Sequence, residues 1–209
     1  DRKNLGVRDK DGNRVIKLSD TETSPDILPN RYKQLADIIR FYKPKCILET
    51  GTWNGGRAIE MALASFKYND SVHYMGYDLF EDATVDTDHE EFNVKPHNTL
   101  EAVEKRLKEF QQHMKEKEDK TFTFELTKGN VRDTLKDRKF TSSDATLALI
   151  GSGNSAETVG VEYEALREVP VVIADHYFTE EEDDFRRLVI QIWYPCVDSL
   201  DQNIKYLDY

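Results

Sequence analysis

The sequence predicts a single α/β domain in which helices cover both faces of a mostly parallel sheet. Short apolar segments that are typical of buried strands alternate with longer segments whose apolar residues recur at helical spacing. Near the start, a strand, a glycine-bearing turn, a helix and a second strand follow one another, which is the order of a parallel βαβ unit. With 209 residues, of which 38% are hydrophobic, the chain is long enough to bury one core.

The composition argues against several classes of protein. A net charge of −11 disfavours a nucleic-acid partner, because an acidic surface repels phosphate backbones. No apolar run reaches membrane-spanning length, and no signal-peptide pattern is present. The two cysteines, Cys46 and Cys196, form no CxxC pair or Cys/His cluster, which argues against structural zinc. One long-range disulfide is an alternative, but a reducing cytosol is the simpler interpretation. We therefore expect a cytoplasmic protein without a membrane partner.

The first third of the chain is predicted to contain an arm followed by the βαβ unit. Turn-forming residues predict that 1–29 is an arm or loop with a short strand at 14–18. The apolar spacing after the arm predicts a helix, and Pro44 ends that helix before residue 43. The elements expected after the arm are a helix at 30–42, a strand at 45–49, a glycine turn at 51–56, a helix at 57–66 and a strand at 72–78.

The segment that follows is predicted to be an insertion. Residues 79–98 are acidic and aperiodic, and a loop of this length is usually functional or disordered. Residues 99–118 have apolar side chains at intervals of three and four, which predicts an amphipathic helix. Together they suggest an inserted loop and lid helix at about 79–120, within one domain that spans 30–209.

The remaining elements alternate between strands and helices. Buried strands are expected at 121–126, 145–150 and 171–174, where alternating or continuous apolar runs occur. Helices are expected at 131–135, 155–169 and 180–197, and the first turn of the last of these is acidic, as the helix dipole favours. A final strand is predicted at 203–208.

The turn after the first strand is the strongest candidate for a ligand site. In the segment Glu49-Thr-Gly51-Thr52-Trp-Asn-Gly55-Gly56, glycine allows a sharp bend and close approach of a ligand, and the next helix start offers N–H groups to an anion. Glu49 suits a cationic ammonium group instead. The spacing differs from Gly-x-Gly-x-x-Gly, which argues against a dinucleotide-binding dehydrogenase. An ordinary strand-to-helix turn explains the glycines equally well.

Asp78 favours the functional interpretation of that turn. It ends the second strand of the βαβ unit, where an acidic residue in nucleotide-binding folds accepts hydrogen bonds from the ribose hydroxyls. An aspartate that caps the strand is the alternative. Because the glycine turn and the acidic strand end occur together, we favour a nucleotide-like cofactor.

Residues 46–80 resemble class I S-adenosylmethionine-dependent methyltransferases. ILETGTWNGG is similar to their first motif and YMGYDLFE to their second. The resemblance implies a Rossmann-like fold with S-adenosylmethionine as cofactor. It also places Asn130, in TKGNV, at the turn that meets the adenine, although a turn-forming Asn is equally consistent with the sequence. The implied cofactor-binding residues are Glu49, Gly51, Thr52 and Gly55 near the methionine part, Asp78 at the ribose and Asn130 at the adenine.

Residues 147–178 resemble a subgroup of small-molecule O-methyltransferases. IGSGNS stands where that subgroup has Ile-Asp-Gly-x-His-Ser, and VVIADHYF stands where it has Val-Val-x-Asp-Asp-Tyr. This chain therefore has Gly151, Asn154 and His176 at three positions where the subgroup has Asp, His and Asp. In metal-dependent members the acidic positions bind magnesium. Because only Asp175 remains, we expect no obligatory metal.

The candidate catalytic pair is His176 and Asp175. A histidine can take a proton from a substrate hydroxyl near neutral pH, and Asp175 could orient it. An isolated surface histidine is the alternative, but the carboxyl edge of a parallel sheet is where ligands bind. His89 and Lys95, on the 79–98 loop, are candidate substrate contacts; the alternative is a solvated acidic loop.

These features predict methyl transfer to a small-molecule acceptor, with oxygen favoured over nitrogen by the subgroup resemblance alone. Two alternatives stay open: an S-adenosylmethionine-cleaving lyase or hydrolase, and a catalytically inactive cofactor-binding interaction domain. The family's sheet usually ends with a sixth and an antiparallel seventh strand, whereas only one strand is predicted after residue 197. We therefore expect the seventh strand to be missing, and the open sheet edge could then support a homo-oligomer.

Overall fold

The structure of the chain is a computed structural model, and the predicted arm at 1–29, with its short strand, lies outside the residues that it describes. None of the helices in the described part of the chain is long and apolar enough to cross a membrane. The described residues are 30–91, 93, 95–177, 187–192 and 204–206, of which 30–34, 175–177, 187–192 and 204–206 are described by their backbone alone.

Six α-helices, one short 3₁₀-helix at Phe80–Asp82 and seven strands make up the described fold, and most begin and end within a few residues of the predicted bounds. The helices are α1 (Asn30–Tyr42), α2 (Gly56–Phe66), α3 (Val85–Glu90), α4 (Leu100–Lys117), α5 (Val131–Thr134) and α6 (Ala156–Leu166). The strands are β1 (Cys46–Thr50), β2 (Ser71–Asp78), β3 (Thr121–Lys128), β4 (Leu147–Ile150), β5 (Val171–Tyr177), β6 (Arg187–Ile192) and β7 (Ile204–Tyr206).

The strands form one Rossmann-like sheet in the order β3-β2-β1-β4-β5-β6-β7. The first five are parallel, and β6 runs antiparallel to both of its neighbours. Glu49 in β1 is paired with Gly76 of β2 on one side and with Leu149 of β4 on the other. The strand order changes direction between β1 and β4, and in open α/β sheets ligands bind at the carboxyl ends of the strands that flank such a point.

The end of the sheet differs from two expectations. Arg187–Ile192 is a strand, although a helix was predicted over 180–197, and the sheet has seven strands, so the expectation that the seventh is missing was wrong. The β-branched and apolar segment RLVIQI pairs with β5, and this pairing overrides the helical spacing of its apolar residues. The last predicted strand is confirmed at Ile204–Tyr206. Association through the sheet edge stays a prediction.

Helices cover both faces of the sheet, as predicted. Along β1, Ile47 packs into a core shared with α1, α2 and α4, whereas the next residue, Leu48, packs into the core on the side of α5 and α6. This alternation follows from the period of two in a strand. Each fully buried side chain of this kind, such as Phe122, contributes about 1.5–3 kcal/mol to folding.

The inserted segment is more ordered than its composition indicates. Within the predicted loop, α3 begins at a capping box in which the Thr84 hydroxyl accepts from the Thr87 amide and the Thr87 hydroxyl accepts from the Thr84 amide. The predicted lid helix, α4, packs into the helix layer with Val103, Leu107 and Met114 buried. Glu91, immediately after the short helix α3, contacts the β4–α6 turn at the carboxyl edge of the sheet.

Candidate functional site

The turn between β1 and α2 has the backbone geometry that its glycines predict. Gly51 and Gly55 have φ angles of 78° and 75°, and Trp53 between them adopts φ 53°. A β-carbon on Gly51 would lie 2.2 Å from the carbonyl oxygen of Gly151, in the turn after β4. Glycine therefore lets the β1 and β4 turns touch at the point where the strand order reverses.

Asp78 lies against this turn. Its Oδ2 accepts a hydrogen bond from the Trp53 amide at 2.7 Å, and its Oδ1 accepts one from the Phe80 amide at 2.8 Å. Burial raises the pKa of Asp78, while these two hydrogen bonds and nearby His97 act in the opposite direction. Asp78 is half-buried as a residue, at the carboxyl end of β2. The structure thus brings together the glycine turn and the acidic strand end, and ribose binding by Asp78 stays a prediction.

Glu49 is placed differently from the expectation that it faces a ligand. Its side chain is completely buried; Oε1 accepts from Arg57 Nε, and Oε2 accepts from the Tyr74 hydroxyl at 2.5 Å. Burial raises the pKa of Glu49, and the Arg57 guanidinium opposes that rise. Thr52 is only 2% exposed, and its hydroxyl lies 3.1 Å from that of Tyr74. Glu49 and Thr52 thus belong to a buried network behind the turn, and direct contact of either with a cofactor stays a prediction.

Arg57 is one residue of this site that the sequence analysis missed. Its Nη2 donates to the carbonyl oxygen of Gly51 at 3.1 Å, and a β-carbon on Gly151 would lie 3.1 Å from the same Nη2. The guanidinium therefore lies between the turns after β1 and β4, with 14% of the side chain exposed. A glutamate in a buried strand was the available signal, because a buried carboxylate requires a partner, and Arg57 follows it by eight residues.

Asn130 begins α5 and caps it. Its side-chain oxygen accepts from the Arg132 amide at 2.9 Å, which satisfies an otherwise unpaired helix N–H group. The preceding Gly129 donates its amide to the backbone oxygen of Asp78 at 2.9 Å. The turn therefore lies beside the end of β2, where the resemblance places the adenine. The capping role explains Asn130 by itself, so its contact with adenine stays a prediction.

Glu91 anchors the end of α3 to the start of α6. Its carboxylate accepts from the amides of Asn154 and Ser155, each at 2.8 Å, and from the hydroxyls of Ser155 and Thr158. Although burial raises the pKa of Glu91, these hydrogen bonds outweigh it and lower the pKa below its usual value. An ionised carboxylate at a helix N-terminus is also favoured by the helix dipole.

An ion pair between Glu90 and Arg132 holds α3 to α5. The Arg132 guanidinium donates to both carboxylate oxygens of Glu90, at 2.6 and 2.7 Å, and Glu157 of α6 lies 3.4 Å away. Arg132 lowers the pKa of Glu90. Glu90 and Glu91 thus join the acidic segment, which was predicted as a loop, to the starts of α5 and α6 at the carboxyl edge of the sheet.

Glu91→Gln is expected to lower the free energy of unfolding by about 2 kcal/mol. The amide can accept fewer hydrogen bonds than a carboxylate, and hydrogen bonds to charged groups contribute about 1.5–3 kcal/mol. Urea unfolding at pH 7 measures the change, and hydrogen exchange should show reduced protection in α3. Glu60→Gln, on the exposed face of α2, is the matched control and should stay within about 0.5 kcal/mol of the wild type. Equal stabilities of the two variants would contradict the anchoring role.

The two candidate substrate contacts are both exposed. Lys95 Nζ lies 5.5 Å from the centroid of the Trp53 ring, and Trp53 Nε1 donates to the backbone oxygen of Pro96 at 2.9 Å. The loop that carries Lys95 is therefore joined to the glycine turn, which brings Lys95 to the rim of the site. His89 lies on α3, and no contact that supports a substrate role was found for it among the described residues. Both roles stay predictions.

Asp175 and His176 lie on β5 itself, because the strand continues to Tyr177 and does not end at Asp175 as expected. Asp175 pairs with Leu188 of β6, and the register shifts between Asp175 and Tyr177, which places His176 at an irregularity of the strand. Their side chains are outside the description, so their catalytic roles stay predictions.

Among the described residues, no group of three or more His, Cys, Asp or Glu could hold a metal ion.

Glu162 of α6 lies beneath the turn after β4. Its Oε1 accepts from the Ser152 hydroxyl at 2.5 Å and from the Ser152 amide at 3.3 Å. Burial raises the pKa of Glu162 to about 7, and hydrogen bonds with Ser152 and Thr50 limit that rise. The sequence analysis assigned it no role, because glutamate in the middle of a helix is usually exposed.

Comparison with known proteins identifies similar folds only among solved structures; no family model matches the chain, and a search of curated proteins returned no match. A methyltransferase of Podospora anserina bound to S-adenosylhomocysteine is 15% identical, with a TM-score of 0.43, over 71% of this chain and 53% of that one. An O-methyltransferase of tomaymycin synthesis from Streptomyces achromogenes, in complex with S-adenosylmethionine, is 17% identical, with a TM-score of 0.43, over 71% and 56%.

An O-methyltransferase of Bacillus cereus in complex with S-adenosylhomocysteine is 18% identical, with a TM-score of 0.41, over 73% of this chain and 59% of that one. The chain thus spans between 53% and 59% of the length of these three proteins. All three are methyltransferases that were crystallised with S-adenosylmethionine or its demethylated product.

Proposed function

We propose that this chain binds S-adenosylmethionine and transfers its methyl group to a small-molecule acceptor, at oxygen in preference to nitrogen. One observation carries the proposal: the Asp78 carboxylate, at the end of β2, lies against the glycine turn after β1 and accepts the Trp53 amide. In nucleotide-binding α/β folds, an acidic residue at this place accepts hydrogen bonds from the ribose. The methyltransferase structures reported above agree with this cofactor and say nothing of the acceptor.

The residues at the edge of the sheet fit the parts of this cofactor. Asp78 would hold the ribose, the turn at Asn130 would border the adenine, and Gly51 and Gly55 would allow the backbone to approach the methionine part. When bound, S-adenosylmethionine supplies an electrophilic methyl group on a positively charged sulfur. Most of the acceleration in such a transfer comes from proximity and orientation of the acceptor.

The acceptor side of the reaction is assigned to β5 and to the rim of the site. As the acceptor oxygen bonds to the methyl carbon, the bond from that carbon to sulfur would break and S-adenosylhomocysteine would leave. His176 would take the proton that the acceptor hydroxyl loses, and Asp175 would orient His176. His89 and Lys95 would contact the acceptor. We also propose a cytoplasmic location and catalysis without an obligatory metal.

Asp78→Asn is expected to weaken binding of both S-adenosylmethionine and S-adenosylhomocysteine about 10- to 100-fold in calorimetric titration. The variant keeps an oxygen for one backbone amide but loses the charge that strengthens bonds to ribose hydroxyls. Asp70→Asn is the matched control, because Asp70 immediately precedes the amino end of β2, with its side chain 95% exposed and paired with Lys120. It should leave the affinity unchanged.

Two results would reject the proposal: a folded wild type that binds neither compound, or one that binds NAD in their place. Incubation with S-adenosylmethionine and a panel of alcohols, phenols and amines then separates the remaining activities. Formation of S-adenosylhomocysteine with a methylated acceptor supports the transferase. Cleavage without S-adenosylhomocysteine would indicate a lyase or hydrolase, and binding without any turnover would indicate the inactive binding domain.

A further inference from the structure

Glu162 is a buried carboxyl group that the proposed reaction does not use. Its side chain, on α6, has no exposed surface, and its Oε1 accepts from the Ser152 hydroxyl at 2.5 Å and from the Ser152 amide at 3.3 Å. Its Oε2 is also buried and has no hydrogen-bond partner among the described residues. A buried acceptor without a partner is rare in native proteins because it is costly, and a catalytic role is one established reason for it.

Glu91, another buried glutamate at this turn, shows the contrast. Both of its oxygens accept hydrogen bonds at the start of α6, and these contacts lower its pKa. Burial raises the pKa of Glu162 to about 7, with a smaller contribution from the negative charge of Glu91. Hydrogen bonds with Ser152 and Thr50 limit that rise. Glu91 is thus a permanent carboxylate, whereas Glu162 can take up and release a proton near neutral pH.

Ser152 connects this carboxyl to the carboxyl edge of the sheet. It is half-buried as a residue, and a β-carbon on Gly51 would lie 2.8 Å from its Cα. The serine therefore lies directly against the glycine turn after β1, where the strand order reverses and ligands bind in such sheets. The pairing of β4 with β5 ends at Ile150 and Ala174. Two residues further along these two segments lie Ser152 and His176, so both are at the same edge of the sheet.

We propose that Ser152 is a catalytic residue that takes the proton of the acceptor hydroxyl and passes its own proton to Glu162, an inference that rests on the proposed function. As the acceptor oxygen bonds to the methyl carbon, the bond from that carbon to sulfur breaks and S-adenosylhomocysteine leaves. The acceptor proton moves to Ser152 Oγ, and the Ser152 proton moves to Glu162 Oε1. Sulfur loses its positive charge as Glu162 loses its negative charge, so the step balances.

Ser152 and Glu162 would thus perform the step that is assigned above to His176, and the test separates the two assignments without a methyl acceptor. Sinefungin is an analogue of S-adenosylmethionine in which an amine-bearing carbon replaces the methylated sulfur, so that an ammonium group lies at the place of the methyl group. Calorimetric titration in buffers of different ionisation enthalpy counts the protons that are released when sinefungin or S-adenosylhomocysteine binds.

At pH 7 the wild type is expected to release roughly 0.4 proton more with sinefungin than with S-adenosylhomocysteine, because an ammonium group beside Glu162 favours its ionised form. In Glu162→Gln the two ligands should release the same number of protons to within about 0.1. Glu164→Gln, an exposed glutamate on the same helix, is the matched control and should behave as the wild type.

The affinities should follow the same ionisation. The preference of the wild type for sinefungin over S-adenosylhomocysteine is expected to increase at least about fivefold from pH 5.5 to pH 8, and that of Glu162→Gln to change by less than about twofold. Charged groups from two other elements face this turn: Glu91, after α3, and Arg57 of α2, beside Gly151. Both keep their charge over this pH range, because the pKa of Glu91 is lowered and arginine stays protonated.

Variants of Ser152 test the proton transfer in turnover, with an alcohol or phenol of the panel that the wild type methylates. Ser152→Ala is expected to lower kcat at least about 100-fold and to change KM for S-adenosylmethionine by less than about twofold. Ser152→Thr keeps a hydroxyl group and should recover most of the rate. If no compound of the panel is methylated, the proton count and the pH dependence of affinity decide alone.

The outcomes distinguish this inference from the proposed function. Extra proton release that persists in Glu162→Gln comes from another group, such as His176, and overturns the role of Glu162. A wild type that releases no extra proton with sinefungin, or a folded Ser152→Ala whose kcat stays within about threefold of the wild type, also overturns the inference. A folded wild type that binds neither S-adenosylhomocysteine nor sinefungin rejects the proposed cofactor itself.

Discussion

Gly51→Ala is expected to lower the free energy of unfolding by about 3 kcal/mol or more, or to prevent folding. Two physical terms add. An alanine at φ 78° is in the left-handed region, at a cost of about 1–2 kcal/mol. Its β-carbon would lie 2.2 Å from Gly151 O and 2.6 Å from Gly151 C, and overpacking typically costs about 1–3 kcal/mol. Both contacts are with backbone atoms, which cannot rotate away.

Gly160→Ala is the matched control, because it adds the same methyl group where there is space. Among the described residues, no atom outside the adjoining backbone of α6 and the two chain neighbours lies within 4 Å of a β-carbon at Gly160, which is in the interior of α6. Alanine in a helix is favoured over glycine, so this variant is expected to gain about 0.5–1 kcal/mol. Urea unfolding followed by circular dichroism measures both changes. A Gly51→Ala variant within about 1 kcal/mol of the wild type would show that the β1 and β4 turns do not touch as described.

The local sequence patterns predicted the part of the fold that forms the site. The buried strand before Gly51 and the strand that ends at Asp78 depend on short apolar runs and on glycine, which act within a few residues. Parallel pairing then requires their carboxyl ends to meet at one edge of the sheet. For this reason the contact between the Trp53 amide and Asp78 follows from an arrangement that the sequence already indicated.

Contacts between distant segments were not predictable in the same way. Glu49 and Arg57 belong to different elements, and only the packing of α2 on β1 shows that they pair. The acidic composition around Glu91 indicated a solvated loop. Its carboxylate instead accepts a hydrogen bond from the amide of Ser155 at the start of α6, 64 residues later. The strand at Arg187–Ile192 likewise depends on an available edge at β5, so its helical apolar spacing was misleading.

Glu162→Gln is expected to remove a large part of the pH dependence of stability. Burial raises the pKa of Glu162 from 4.5 to about 7, so the folded chain holds a proton there that the unfolded chain has lost. Between these two pH values the folded state binds more protons, and its stability therefore falls as the pH rises. At 1.36 kcal/mol for each pKa unit, the loss from this group approaches about 3 kcal/mol above pH 7.

The measurement is the difference in unfolding free energy between Glu162→Gln and the wild type at pH 4.5, 6 and 8. Glutamine does not titrate, and its side-chain oxygen can still accept from Ser152. The difference should therefore shift in favour of the variant by about 3 kcal/mol from pH 4.5 to pH 8. Glu164→Gln, an exposed glutamate on the same helix that pairs with Arg167, should give a difference that stays within about 0.5 kcal/mol.

Ionisation of Glu162 is also expected to affect the turn after β4, because its hydrogen-bond partner Ser152 follows Gly151 in that turn. Ionised Glu162 accepts hydrogen bonds from Ser152 more strongly than the protonated form does, so the Ser152 contact changes as the carboxyl loses its proton. If the stability difference between Glu162→Gln and the wild type is the same at pH 4.5 and pH 8, the carboxyl is ionised in both states at neutral pH. Its environment must then be far more polar than the buried position beneath the turn.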